Sequence, residues 1–550
     1  MGGQNSIRPI LDVAGEAGLR PDEVEPYGSG RAKVSPTAPA RLASRDDGRL
    51  VVVTAITPTS AGEGKTTTSI GLTQGLRRVG ADAIVCLREP SMGPVFGRKG
   101  GGTGGGRSEV VPMEDINLHL NGDLHAVSAA HNLLAAATDA SLYHGNPLAI
   151  DPTRIGWPRC IDMNDRALRH IVTGLGGGSN GIPRESGFII TAASEVMAVL
   201  GLASDLQDLR ARIGRIQVAE SRDGDPVTAE DLGVAGAMTV LLKEAIRPNL
   251  VQTTEGGAAL VHTGPFGNIA HGNSSIVATR LTLKLADIVV TEGGFGSELG
   301  FEKFCHIVCP AGEFTPSAAV VVATARALKV HGGLPESMCE DVDLDALKRG
   351  TENLAAHIDI VRTFGLPAVV AINVFPSDTD RELETIRGMA LEMGAHDAVL
   401  HRGFVLGGGG AEELAGAVLG ALDAPSSFRP LNAPNRPLRE QIEAIATTLY
   451  GADGVDMAPQ AERDLERLRS AGMDRLPVCM AKTHLSLSHD ATLKGRPLGF
   501  RLPVRQLILA AGAGFVVALT GDTLRMPGLG RDSAYLRIDV DEGGRTVGLV

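Results

Sequence analysis

From residue 50 onward, short continuous apolar runs alternate with stretches whose apolar residues recur at helical spacing. Residues 50–57 (LVVVTAIT) predict a strand covered on both faces, because the run is β-branched and lacks polar alternation. Residues 65–79 predict a helix, with Ile70, Leu72, Leu76 and Val79 near one face. A second strand is expected at 83–87, ending at Arg88 and Glu89, and others at 187–192, 286–291, 318–323 and 366–372. Helical patterns follow directly at 195–203 and 324–330. Buried strands alternating with helices predict a mostly parallel sheet with helices on both faces. Ligands of such sheets bind beyond the carboxyl ends of the strands, so the loops after the strands are the first place to look for chemistry. Residues 425–437 hold Pro425, Pro430, Pro434 and Pro437 and read as a linker, followed by a helix at 438–450 and a mixed C-terminal part.

The first of these loops, 57–68, reads TPTSAGEGKTTT. Phosphates need several N–H donors converging on one point, which Gly62 and Gly64 allow by letting the backbone approach without a Cβ. A helix starting near Lys65 directs its positive end and free N–H groups at the same place. Pro58, Thr59, Ser60, Ala61, Gly62, Glu63, Gly64, Lys65, Thr66 and Thr67 are therefore the expected nucleotide-binding segment. Lys65 is expected to reach the terminal phosphates, and the Thr66 hydroxyl to ligate Mg²⁺. Thr59 stands where the first glycine of G-x-x-x-x-G-K-[ST] belongs. The Asn-Lys-x-Asp of GTPases is missing after the late strand, where 371–376 reads AINVFP, and this favours ATP.

Composition narrows the class. A chain of 550 residues is too long for one core and predicts two to four domains. A net charge of −12 gives no reason to expect nucleic acid. No apolar run approaches the ~18 residues of a membrane span, and the first residues show no secretion signal. Six cysteines are too few for a disulfide framework, and Cys305, His306 and Cys309 lack a second pair to complete a zinc set. Free thiols in a reducing cytoplasm are the expectation.

The second strand leads into REPSMGPVFGRKGGGTGGG (88–106), and then into VPMEDINLHLNGDLHA (111–126). A glycine run embedded among Arg, Lys, Glu, Asp and His suggests a loop that closes over a small anion. With these strings the chain resembles formate–tetrahydrofolate ligases from about residue 50 to 550. DMNDRALRHIVTGLGG, ASEVMAVLGLASDL, PFGNIAHGNSSI, TEGGFGSELG, FEKF, MAKTHLSLSHD and YGADGV carry the resemblance further. It implies a P-loop NTPase-type core, a mostly parallel sheet flanked by helices, with two smaller α/β domains. The expected divisions are 1–352 for the core, 353–437 for a folate-contacting domain and 438–550 for the C-terminal domain, with 107–135 expected to pack against the last. It also implies formate, ATP and tetrahydrofolate as substrates, formyl phosphate as intermediate, a homotetramer, and stimulation by a monovalent cation.

Residue by residue, the resemblance puts Arg88 at the arginine that holds formyl phosphate. Glu89 is expected to orient Arg88 or contact folate. Asp123 and His125 fall in a segment near the substrates, and either could take the proton that leaves N10. Aromatics make up only 3% of the chain, so a Phe in a Gly/Pro loop stands out. Phe375 matches the family's pterin-stacking Phe, and Phe404, before Gly407–Gly410, aligns with a Trp of relatives in a segment one residue longer. Phe295, in TEGGFG, is placed near the adenine. Arg98 and Thr103 stand where smaller or apolar residues are expected. Two rival readings share the phosphate loop: another carboxylate-phosphorylating ligase, and a P-loop switch or partitioning ATPase whose output is a changed protein partner.

Overall fold

The computed structural model describes residues 7–59, 62–97, 101–433, 435–521 and 523–549. Seven strands set the frame: β1 (Arg49–Ala55), β2 (Ala83–Leu87), β3 (Ala258–Val261), β4 (Ile288–Glu292), β5 (Pro316–Ala323), β6 (Ala368–Asn373) and β7 (Asp397–His401). Four helices matter for the site: α1 (Lys65–Arg78), α2 (Asp123–Tyr143), α3 (Glu195–Leu202) and α4 (Leu344–Thr363).

Among the described residues, twelve strands join in one sheet, in which the order β3-β2-β4-β1-β5-β6-β7 is parallel throughout. The β3 edge continues antiparallel through Asn249–Thr253 and then Ala32–Val34. Val51, Val52 and Val53 of β1 are fully buried, as expected of a central strand covered by helices on both faces. After β1 the chain builds toward β2, and after β4 it builds the opposite way through β5, β6 and β7. The order therefore reverses next to β1, and a crevice opens at such a point beyond the carboxyl ends. The loop from β1 to α1 lies there.

The expected strands at 286–291, 318–323 and 366–372 are β4, β5 and β6. The one at 187–192 differs. Only Phe188–Ile190 is strand, and it pairs with Arg159–Ile161 outside the large sheet, because the chain turns into a 3₁₀ turn at Thr191–Ala193. No helix or strand occurs among the described residues from 424 to 437, and Leu438–Thr448 is helical. The expected division at 352/353 falls inside α4, and β6 and β7 extend the sheet begun by β1. Beyond 438, Val478–Ala481, Phe515–Leu519 and Gln506–Ala510 form a separate three-stranded sheet. The Thr546 hydroxyl donates to Glu114 at 2.6 Å, so the 107–135 segment touches the C-terminal one. Cys305 and Cys309 are buried thiols, and His306 uses its ring nitrogens on Glu302 and on the Leu431 amide. Among the described residues no helix is long and apolar enough to cross a membrane.

Asp123 opens α2 and is buried against the sheet edge, where the Lys33 ammonium donates to both its oxygens at 2.6 and 2.7 Å. The Asn249 amide adds a third donor at 2.8 Å. A buried pair is costly to break, since the surviving charge loses its counter-charge. Lys33→Met is expected to destabilise the fold by about 3–5 kcal/mol, and the double variant Lys33→Met/Asp123→Leu by less than that single change. Denaturant unfolding of the three proteins checks this, and additive losses would show that the two side chains are not a pair.

Candidate functional site

Two glycines shape the loop between β1 and α1. Gly62 and Gly64 sit at φ +74° and +75°, in the left-handed region, and Gly64 forms the cap from which α1 starts. A Cβ at Gly64 would also lie 2.8 Å from the Asn373 amide nitrogen. The loop is anchored at its root by α4. Asn353 accepts the Thr57 N–H at 3.1 Å, and His357 bonds the Thr57 hydroxyl at 3.0 Å. It is anchored on the other flank by β6 and β7. The Asn373 amide donates to the Glu63 carbonyl at 2.6 Å, and its oxygen takes the Thr68 hydroxyl at 3.0 Å and His401 Nδ1 at 2.7 Å. Because that oxygen is an acceptor, His401 carries its proton on Nδ1. Ser60, Ala61 and Arg98 lie outside the described residues.

Inside the loop the Glu63 carboxylate accepts the Thr59 N–H at 2.7 Å. Burial drives the Glu63 carboxyl upward, and the Lys65 charge and the Thr59 bond oppose it. Burial lowers Lys65, against the attraction of Glu63 and then Glu292. Glu292 ends β4, next to β1 in the sheet, and is 4% exposed. Its two oxygens serve the two halves of the site: the Thr66 hydroxyl donates to one at 2.9 Å, and Arg88 lies against the other at 3.5 Å. Lys65 and Arg88 are near enough for the guanidinium to depress the ammonium. Arg88 thus joins the loop through a carboxylate on the strand between their own two strands.

Glu89 is buried, and its carboxyl is pushed well above the usual range by burial and then by Asp123, with Lys33 opposing. Arg88 Nε and Glu89 Oε2 are buried without partners among the described residues, so both retain capacity for a substrate. Asp123 faces Lys33, and His125 is exposed on the first turn of α2. Thr103 is fully buried, bonded to Glu109 and Asn117.

The two candidate stacking residues follow adjacent strands, Phe375 on a loop and Phe404 in the one-turn helix Gly403–Leu406. Phe375, two residues past β6, is half-buried, with the Arg326 guanidinium 4.2 Å from its ring centre. Phe404 follows β7 and is 59% exposed, so it is no core residue. Its carbonyl accepts the Arg107 N–H at 2.9 Å, and a Cβ at Gly105 would sit 3.1 Å from its ring. The glycine run is thus pressed against Phe404. On the other side of the site, Phe295 stacks on His484 with ring centres 4.5 Å apart, beside Lys482 in a cavity of about 650 Å³. Burial lowers Lys482 to about 8, opposed by Glu298 at 3.5 Å.

Glu292, Asn373, His401 and Asn353 escaped the sequence reading. An acid closing an apolar strand could have exposed Glu292. Nothing local marks Asn353, which acts on a residue far away in the chain.

The fold is that of an α/β protein whose large, mostly parallel sheet carries the candidate site residues at the carboxyl ends of its strands. The chain belongs to the formate–tetrahydrofolate ligase family, whose model, described as formate–tetrahydrofolate ligase, matches residues 2–550. It is 53% identical over 552 residues to the formate–tetrahydrofolate ligase of Roseiflexus sp. (strain RS-1), covering 99% of this chain and 98% of the relative. The enzyme of that name from Saccharopolyspora erythraea is 53% identical over 554 residues, covering 99% and 98%. That from Desulforamulus reducens is 52% identical over 550 residues, covering 98% and 97%.

Several buried histidines bear on acid stability. Burial lowers His401 to about 4 and His271 to about 3, from an unfolded value near 6.5. Below pH 6.5 the unfolded chain takes up protons that the folded chain refuses, so stability falls with pH down to the folded value. Between pH 6.5 and 4, His401→Gln is expected to make that fall shallower by about 1.4 kcal/mol per pH unit. Denaturant midpoints across this range test it, and an unchanged slope would contradict it.

Proposed function

We propose that the protein uses ATP to join formate to tetrahydrofolate, giving 10-formyltetrahydrofolate, ADP and phosphate. Full-length kinship with formate–tetrahydrofolate ligases supports this. The observation that carries the site assignment is the meeting of Thr66 and Arg88 on Glu292, with Lys65 alongside.

Formate is a poor electrophile, because its negative charge is shared over both oxygens. A formate oxygen attacks the γ-phosphorus, ADP leaves, and a mixed anhydride, formyl phosphate, results. N10 of tetrahydrofolate then attacks the formyl carbon, phosphate departs, and the N10 proton passes to a base. The first step needs positioning and charge neutralisation rather than covalent help from the protein. Lys65 neutralises and holds the phosphates together with backbone N–H groups of the 58–67 segment, to which Pro58 contributes none and Thr59 has given its own to Glu63. Arg88, with a planar fork suited to two anionic oxygens, holds formate and then formyl phosphate.

The Thr66 hydroxyl and the Glu292 carboxylate are hard oxygen donors of the kind Mg²⁺ prefers. Bound by them, Mg²⁺ would offset phosphate charge. Glu89, whose carboxyl burial and then the Asp123 charge push upward, orients Arg88 or contacts folate, and Asp123 is one candidate base for the N10 proton. His125, exposed on α2, remains the other candidate base. Phe375 and Phe404 sandwich the pterin, a flat ring suited to stacking, and Phe295 holds the adenine. In this reading the P-loop-type core spans 1–352, residues 353–437 supply the folate side and 438–550 close the nucleotide side, where His484 meets Phe295. The resemblance extends the proposal to a cytoplasmic homotetramer stimulated by a monovalent cation.

ADP release measured with formate alone, tetrahydrofolate alone and both is the test. Full turnover is expected only with both. Lys65→Ala and Arg88→Ala are each expected to lower kcat by about 10²–10³-fold or more while circular dichroism stays unchanged. Nucleotide-dependent self-assembly with no formylated product would favour the partitioning-ATPase reading instead.

A further inference from the structure

The single tryptophan, Trp157, lines a cavity of about 260 Å³ that none of the residues assigned above to ATP, formate or folate touches. Small-molecule pockets begin at roughly 300 Å³, so the space suits a ligand of few atoms. Its wall is mainly apolar, built from Trp157, Ala198, Leu507, Leu509, Phe515 and Val517. Trp157 is fixed in place: its indole N–H donates to the His131 carbonyl at 3.1 Å, and its ring stacks on the His131 imidazole at 4.3 Å. His131 bonds Ser194 and the Pro158 carbonyl, and burial lowers it to about 3, so this floor is uncharged.

The cations around the cavity differ in what they hold. Arg154 and Arg467, at the rim, both pair with Glu220, at 3.3 and 2.6 Å. Arg525 accepts the Ile190 N–H on its backbone carbonyl at 2.9 Å, but its guanidinium makes no hydrogen bond or ion pair among the described residues, and burial opposes its charge while Glu195 supports it. The acid facing it is Glu195, one oxygen of which is already taken by the Gly512 and Ala513 amides at 2.8 and 3.3 Å. Burial lifts Glu195 to about 7, which weakens it as a counter-charge near neutrality. Arg525 is partly exposed, so its guanidinium presents donors that the protein does not use beside an apolar wall, and a carboxylate matches that fork with two parallel bonds.

We propose that this cavity binds a small monocarboxylate with an apolar body, the carboxylate forked on Arg525 and the body against Trp157. Formate lacks such a body and is excluded as its ligand, which separates this site from the reaction. The body displaces water from the apolar wall and provides affinity; Arg525 provides selection for charge.

Because no other tryptophan is present, emission from Trp157 reports occupancy in the full-length protein without a label. Titration with cyclohexanecarboxylate is expected to give a saturable change. Cyclohexanecarboxamide, the same shape without the charge, is expected to bind at least tenfold more weakly, a comparison that needs no variant. Arg525→Gln is expected to weaken the carboxylate at least tenfold, and Arg525→Lys by less. The proposal is overturned by the absence of a saturable change in the unaltered protein. Equal affinity for the amide, or inorganic phosphate or formate binding as tightly as cyclohexanecarboxylate, would also overturn it.

Discussion

One buried carboxylate organises the site. Glu292 ends the strand that lies between the strands leading to Thr66 and to Arg88, and it bonds both. The spacing of neighbouring strands fixes how far apart Thr66 and Arg88 stand, and Glu292 turns that spacing into a shared electrostatic centre. Burial lowers Lys65, and Glu63 and then Glu292 oppose that shift. Positive groups that must hold several anionic oxygens would repel one another if left alone. A carboxylate placed among them lets the site be assembled before substrate charge arrives.

The rest of the machinery is carried on the same edge. Thr57 is tied to α4, Gly64 is crowded by Asn373, and Asn373 is tied in turn to His401. These bonds run sideways across the sheet, so the segment before α1 and the segments bearing Phe375 and Phe404 share one rigid base. Sites supported by strand ends in this way tolerate mobile loops without losing alignment. Phe295 is held differently, stacking on His484 from the C-terminal part of the chain.

The sequence was informative wherever chemistry is local. The run 50–57 and the glycines after it gave β1, the loop and α1 nearly to the residue, because β-branched burial and left-handed turns are written in consecutive positions. Phe404 was identifiable by its place before a glycine run, but its 59% exposure was not, since exposure depends on what packs opposite. Asp123 could be read as a base candidate, whereas its bond to Lys33 could not, the two lying in unrelated segments. The strand expected at 187–192 failed for the same reason. Apolar β-branched residues show that a stretch can pair, but the choice of neighbour is made elsewhere in the chain. Asn353 and Asn373 are ordinary residues by type, and only their positions make them part of the site.

The central place of β1 has a bearing on how the molecule comes into being. Both strands that flank it belong to much later stretches: β4 begins at residue 288 and β5 at residue 316. At synthesis speeds of roughly 5–20 residues per second, β1 leaves the ribosome on the order of ten seconds to a minute before either neighbour exists. Throughout that interval its valines have no lateral partner, and the loop beyond it lacks the carboxylate that organises it. Apolar strands left unpaired in this way are prone to aggregation, and the bonds that Glu292 makes to Thr66 and Arg88 cannot form until more than half of the polypeptide has been made.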